Sequence, residues 1–194
     1  MVKSLIFLVL TVIVFSMAVT GKAVSGDDFA VTVYGGRMTD DSYSETLSGG
    51  ADFISAYVFV GAFSWTFARY LDEALSLELE AQVGKWWGDQ DNMEFNLPVA
   101  MRWSKFPWNH NVATSFAFGI GPSWATDEPE GEIERHDETQ QFLVYWFGEL
   151  ALGPPASSWA WVFRLHHRSG AFGLVADQGD GGSNTLAAGL KYRF

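Results

Sequence analysis

From residue 29 onward, apolar and polar side chains alternate with a period of two, the mark of β-strands. The clearest run is Leu75 to Trp87, in which Leu75, Leu77, Leu79, Ala81 and Val83 alternate with Ser76, Glu78, Glu80 and Gln82. The same pattern predicts strands at Phe29 to Arg37, Phe53 to Phe67, Val112 to about Thr126, Glu138 to Leu152, Trp159 to Ser169 and Asn184 to Phe194. A further strand sets Phe95, Leu97, Val99, Met101 and Trp103 against Glu94, Asn96, Ala100 and Arg102. Pro98 removes a ladder donor from that strand, so a bulge or irregularity is expected there.

The facing of these strands follows from the run WAWVFRLHHRS. Trp159, Trp161, Phe163, Leu165, His167 and Ser169 share one side; Ala160, Val162, Arg164, His166 and Arg168 share the other. An apolar face turned to water with cations in a dry core is not a viable arrangement, so the apolar side faces lipid. The final run repeats it, with Leu186, Ala188, Leu190, Tyr192 and Phe194 opposite Lys191 and Arg193. A soluble lipocalin-like barrel would need the opposite facing. Beyond the N-terminus no apolar stretch approaches the length of a transmembrane helix, and only helices and closed sheets satisfy their backbone groups in lipid. The predicted fold is therefore all-β, an eight-stranded antiparallel up-and-down transmembrane β-barrel.

The long polar connections, Met38 to Asp52, Asp127 to Asp137 and Gly170 to Ser183, all fall at one end, as in outer-membrane barrels. That end is expected outside the cell, with both ends of the barrel chain in the periplasm. Glu78, Glu80, Arg102, Glu149, Arg164, His166, Lys191 and Arg193 would point inward. An eight-strand barrel is narrow enough for side chains to fill it, so an internal ion-pair network is expected rather than an open channel.

The N-terminus reads as a secretion signal over residues 1–25, with Lys3 before an apolar core from Leu5 to Phe15 and cleavage near Ala23 or Ser25. The barrel domain then occupies residues 26–194. Nine Trp and an aromatic share of 16% suit the interfacial girdles of a membrane barrel, to which Trp86, Trp87 and Trp108 are assigned. The net charge of -11 argues against a nucleic-acid partner. Its clusters, Asp40–Asp41, Asp89–Asp91 and Asp127–Asp137, read as solvated loop surface. With no Cys, disulfides and thiolate metal sites are excluded.

Candidate chemistry lies where the apolar face of the seventh strand ends. His167 and Ser169 would stand on the lipid-facing side, where an ionisable residue is costly and usually functional. Residues i and i+2 of a strand lie roughly 7 Å apart, so the two side chains can lean into the hydrogen-bond reach that a base and its nucleophile require. Asn184 shares their parity on the neighbouring strand. His166 and His167 point to opposite faces, which argues against a metal pair.

The segment His167-Arg168-Ser169, a Gly-rich loop, Asn184 fifteen residues after the Ser, and a last strand ending Tyr192-Arg193-Phe194 resemble the C-terminal signature of the lipid A 3-O-deacylases. The likeness covers roughly the last thirty residues. It implies a barrel of the bacterial outer membrane that needs no cofactor and hydrolyses an ester-linked acyl chain of lipid A, the lipid part of lipopolysaccharide, within a membrane-lipid environment. Ser169 would be the nucleophile and His167 its base. Asn184 stands where the family has Glu, and Gly170 where it commonly has Asn, so the N–H groups of Gly170 or Ala171 would serve the oxyanion. Asp177 or Asp180 could supply a carboxylate. The rival is a non-catalytic outer-membrane barrel with a structural or adhesive role.

Overall fold

In the computed structural model the described residues are 28–40, 51–136, 138–171, 175 and 181–194. The signal segment, Asp177 and Asp180 lie outside them. The strands are β1 (Phe29–Thr39), β2 (Phe53–Tyr70), β3 (Leu75–Gly88), β4 (Met93–Asn96), β5 (Val99–Trp103), β6 (Ala113–Ala125), β7 (Phe142–Gly153), β8 (Trp159–Ser169) and β9 (Gly182–Arg193). β4 and β5 are two halves of one stave, so the ring has eight. Every pairing is antiparallel between chain neighbours, and β1 pairs with β9 to close the barrel. Phe29 and Phe194 exchange backbone hydrogen bonds of 3.1 and 2.9 Å at the seam.

The break between β4 and β5 falls at the expected Pro98. Glu80 N donates to Pro98 O (3.0 Å) and Leu97 N to Pro122 O (3.1 Å), so one carbonyl and one N–H of the irregular stretch still bond to the neighbouring strands. The approach is close: a Cβ at Gly121 would lie 2.3 Å from Leu97 O, so only glycine admits it. Elsewhere the strands differ from expectation at their ends. β2 runs three residues further, to Tyr70, and β7 begins at Phe142, not Glu138.

The barrel is inside out relative to a soluble protein. Phe59, Met101, Ile120 and Trp161 on the outer wall are half exposed or more, while Glu80, Glu149, Arg164 and Lys191 inside are buried. Lipid is the medium that can cover such a wall, and the chain is therefore a membrane barrel. In the lower lumen, Arg102, Arg164 and Lys191 face Glu78, Glu80 and Glu149 as expected. Glu149 accepts from Lys191 Nζ (2.7 Å), Arg102 Nη2 (2.8 Å) and Arg164; Arg164 Nη1 donates to Glu80 Oε1 (2.7 Å) and Arg102 Nε to Glu78 Oε1 (2.7 Å). Each carboxylate is both neutralised and hydrogen-bonded, which offsets the desolvation cost of burying ions. Arg193 lies at the rim, part-exposed, its Nη2 3.5 Å from Ser115 Oγ.

Two expectations are corrected here. Trp86 is not part of a girdle: it is buried in the upper lumen, donating from Nε1 to Glu94 Oε2 (2.8 Å) edge-on to His166, whereas Trp87 faces outward against Tyr57. The Asp127–Asp137 connection is not wholly solvated loop. It contains helix α1 (Glu130–His136), and Glu132 on it is fully buried at the top of the barrel.

Candidate active site

The outward parity of β8 carries its apolar row upward to His167 and Ser169 near the loop end. His167 stands in register between Trp146 on β7 and Asn184 on β9. The indole of Trp146 packs on the imidazole with ring centroids 4.5 Å apart. His167 Nδ1 and Asn184 Oδ1 are 2.7 Å apart. With Oδ1 accepting, Nδ1 carries the proton and Nε2 is left with the lone pair, the tautomer that a general base needs. Asn184 is itself buried, and its carbonyl accepts from Thr39 Oγ1 (3.3 Å).

Ser169 is half-buried, opposite Val144 and Gly182. Among the described residues its Oγ accepts a long hydrogen bond from Ala171 N (3.4 Å) and is not bonded to His167. The three residues are thus brought to one patch of the outer wall, with the His–Asn contact made and the Ser–His contact unmade. Ala171 has φ of +51°, a conformation uncommon outside glycine, and this turns its N–H back toward the hydroxyl. Gly170 is buried and accepts from Val175 N (3.2 Å). Across the ladder, Gly182 has φ of +131°, which a side chain rarely tolerates, so the partner strand approaches Ser169 with bare backbone.

What holds this strand end is a clamp on the inner face. Arg168, between His167 and Ser169, donates to Ser123 Oγ (2.9 Å), Glu132 Oε1 (2.9 Å) and Gln141 O (3.1 Å). Glu132 also accepts from Ser183 Oγ (3.0 Å) and Thr139 Oγ1 (2.6 Å). One buried carboxylate therefore ties the residue flanked by His167 and Ser169 to the residue before Asn184. Sequence reasoning missed Glu132. The available signal was Arg168, a cation of inward parity above the layer where the other carboxylates lie, which needed a partner from a loop.

Directly below this row an apolar groove of about 860 Å³ is sunk into the outer wall. Its floor is made by small outward residues, Gly35, Gly148 and Ala188, and its sides by Phe118, Trp146 and Phe163. Leu165, which pairs with Gly148 and Leu186, lies on the floor two residues before His167. A linear apolar chain lying there would end beside the imidazole.

No protein-family model and no curated protein matches the chain. Solved structures do. The crystal structure of the outer membrane enzyme PagL superposes with a TM-score of 0.62 at 12% identity, covering 85% of this chain and 99% of that one. Designed transmembrane β-barrels match with a TM-score of 0.53 at 10% identity over 89% of this chain and 100% of theirs. Neisserial surface protein A (NspA) matches with 0.51 at 9% identity over 88% and 100%. The fold is that of the outer-membrane β-barrels. Because an enzyme, a surface protein and designed barrels share it, the fold by itself does not select an activity.

His166, adjacent to His167, points inward and lies 2.9 Å from Glu94 Oε1 and 3.1 Å from the Tyr34 hydroxyl. The two imidazoles are thus on opposite sides of the wall, as strand geometry requires. Among the described residues no group of three His, Cys, Asp or Glu side chains is arranged to hold a metal ion.

Proposed function

We propose that the protein is an outer-membrane ester hydrolase of the lipid A 3-O-deacylase kind, working on the lipid-facing wall. The observation that carries this reading is the position of the groove: an apolar trough ends beside a polar row of His167, Asn184 and Ser169. With the loop end outward, that row stands at the level of the sugar and ester region of outer-leaflet lipid. The substrate would be lipid A within lipopolysaccharide.

The chemistry needs one adjustment. Rotation of Ser169 about χ1 takes Oγ from Ala171 N toward His167 Nε2, a shift within the tightening expected when substrate arrives. Nε2 then removes the hydroxyl proton as Oγ attacks the ester carbonyl carbon. The oxyanion is met by the N–H groups of Ala171 and Gly170. Collapse expels the sugar oxygen, which takes the proton back from His167, and leaves an acyl-serine. Water, deprotonated by the same imidazole, releases the fatty acid and restores Ser169. Asn184 holds the productive tautomer throughout but lacks the charge that would stabilise the imidazolium.

A neutral Asn184, with the Ser169 hydroxyl bonded to Ala171 N, favours a second reading: a catalytically silent barrel of structural or adhesive role. Mass spectrometry of lipid A separates the two. Outer membranes carrying the wild type should lose the mass of one ester-linked acyl chain, and those carrying Ser169→Ala or His167→Ala should not. Unchanged lipid A in the presence of folded wild type removes the hydrolase reading.

A further inference from the structure

The outer wall carries one cation that no carboxylate answers among the described residues. Lys85 is paired with Asp91. Arg37 is not. It has the outward parity of Val31, Val33 and Gly35 on β1, opposite Leu186 of β9 and Tyr57 of β2, and it borders the apolar groove. Its guanidinium is held on one side only. Nε donates to Ile54 O (2.7 Å) and Nη2 to Phe53 O (3.2 Å). The rings of Phe53 and Tyr57 lie 5.5 and 5.4 Å from its central carbon. Those contacts fix the plane of the fork, and Nη1 has no acceptor among the described residues.

A charge that no described carboxylate meets at a lipid-facing site is costly and rarely idle, and a preset guanidinium fork matches a phosphate oxygen pair. The location also fits. Arg37 is the diagonal cross-strand neighbour of Asn184, roughly 7–8 Å away at the backbone, and His167 lies one strand further on. A long Arg side chain spans the remaining gap to a group on the same sugar as an ester held at Ser169. The carbonyl contacts alone would explain a role in closing the ladder at the irregularity between Arg37 and Thr39, but not the placement of a cation at the edge of a groove.

We infer that Arg37 binds a phosphate of the lipid whose acyl chain occupies the groove. The inference rests on the proposed reading of the groove, and its test does not depend on turnover. Full-length barrel carrying Ser169→Ala is refolded in detergent, and binding is measured for lipid A, for the same lipid with its phosphates removed, and for inorganic phosphate. Preference for the phosphorylated lipid should be about tenfold, as one charge-assisted contact provides. Arg37→Gln should bring the ratio to near one, and Arg37→Lys should keep part of it. Heat-modifiable migration reports whether each variant folds.

An unchanged ratio in folded Arg37→Gln overturns the inference, even if that variant is less stable, because Arg37 then serves only the backbone carbonyls. No preference in the parent, or tight binding of inorganic phosphate without selectivity between the lipids, overturns it as well. If the phosphate ratio behaves as expected while wild type fails to shorten lipid A, the anchor stands and the hydrolase reading falls.

Discussion

On β8 the side chains of Arg164, His166 and Arg168 point into the barrel while Leu165, His167 and Ser169 point out, and the two sets are stabilised in opposite ways. Inward, every charge is met by several partners: Arg164 alone contacts Glu80, Glu149 and the rings of Tyr34 and Phe147. Outward, Ser169 makes one long bond to a backbone N–H. A saturated network fixes the wall and has nothing left to offer a substrate. The Ser169 hydroxyl at the end of an apolar trough does the reverse, since its one long bond among the described residues adds little to folding. The proposed hydrolysis is thereby assigned to the side that stability does not need.

The sharpest way to break this contrast is at Ser169. Ser169→Ala should lower deacylation by at least about 1000-fold, as loss of a catalytic nucleophile does. Stability in urea should stay within about 0.5 kcal/mol of wild type. Persistent activity in that variant would move the chemistry elsewhere. Arg164→Ala should behave conversely. It strands Glu80 in the lumen and takes one of three cations from Glu149, which keeps Arg102 and Lys191; breaking a buried pair from one side costs about 3–5 kcal/mol, visible as a large fall in the urea midpoint of the refolded barrel. A midpoint unchanged by Arg164→Ala would mean that the lumen admits enough water to solvate the carboxylates.

The same contrast explains what was legible in the sequence. A period of two, with its phase set by Arg164 and Lys191 on one side and Trp161 and Leu190 on the other, leads to the eight staves, their facing and the lumen network. Proline at 98 marks the irregular stave because a missing N–H is a local property. His167 and Asn184 share a parity, and strand adjacency then makes their contact unavoidable. Trp86 was misread because it sits in the run Gly84 to Gly88, where the apolar face no longer alternates and Trp87 competes for the outer side. Glu132 was missed because its burial depends on the 127–137 connection folding over the mouth onto Arg168, a long-range contact with no periodic trace. Ser169 pointing at Ala171 rests on a backbone turn of φ +51°, which side-chain identity does not specify.

Glu132 joins the two sides, and its removal should sharpen the comparison. Glu132→Ala leaves Arg168 without its carboxylate, at a cost of about 1–3 kcal/mol in the upper barrel. As a positioning residue it should lower kcat more than it alters KM, because the groove is unaffected while the end of β8 loosens. Faster amide exchange at 166–169 and 182–185, with lower-barrel strands unchanged, is the accompanying signature. Glu132→Gln keeps one acceptor oxygen for Ser183 and Arg168 and turns its NH2 toward Thr139 Oγ1, which can accept instead of donate, and should restore part of the rate. A purely structural contribution would lower the folded fraction without changing kcat per folded molecule.

The smallest effect, and the one with an unusual sign, is expected at Asn184. An amide oxygen 2.7 Å from Nδ1 selects the tautomer, but a carboxylate would also stabilise the imidazolium that forms as Ser169 loses its proton. Asn184→Asp should therefore raise kcat, by about tenfold if it supplies one charge-assisted hydrogen bond in place of a neutral one. The shorter side chain of Asp relative to the Glu found in the 3-O-deacylases is no obstacle, since Asn184 already reaches the ring at the same length. Asn184→Leu removes the acceptor, frees the imidazole to take the other tautomer and should lower kcat with KM unchanged. If Asp and Leu both leave the rate as it was, Nδ1 is oriented by something other than Asn184, and the hydrogen bond across β8 and β9 serves the ladder alone.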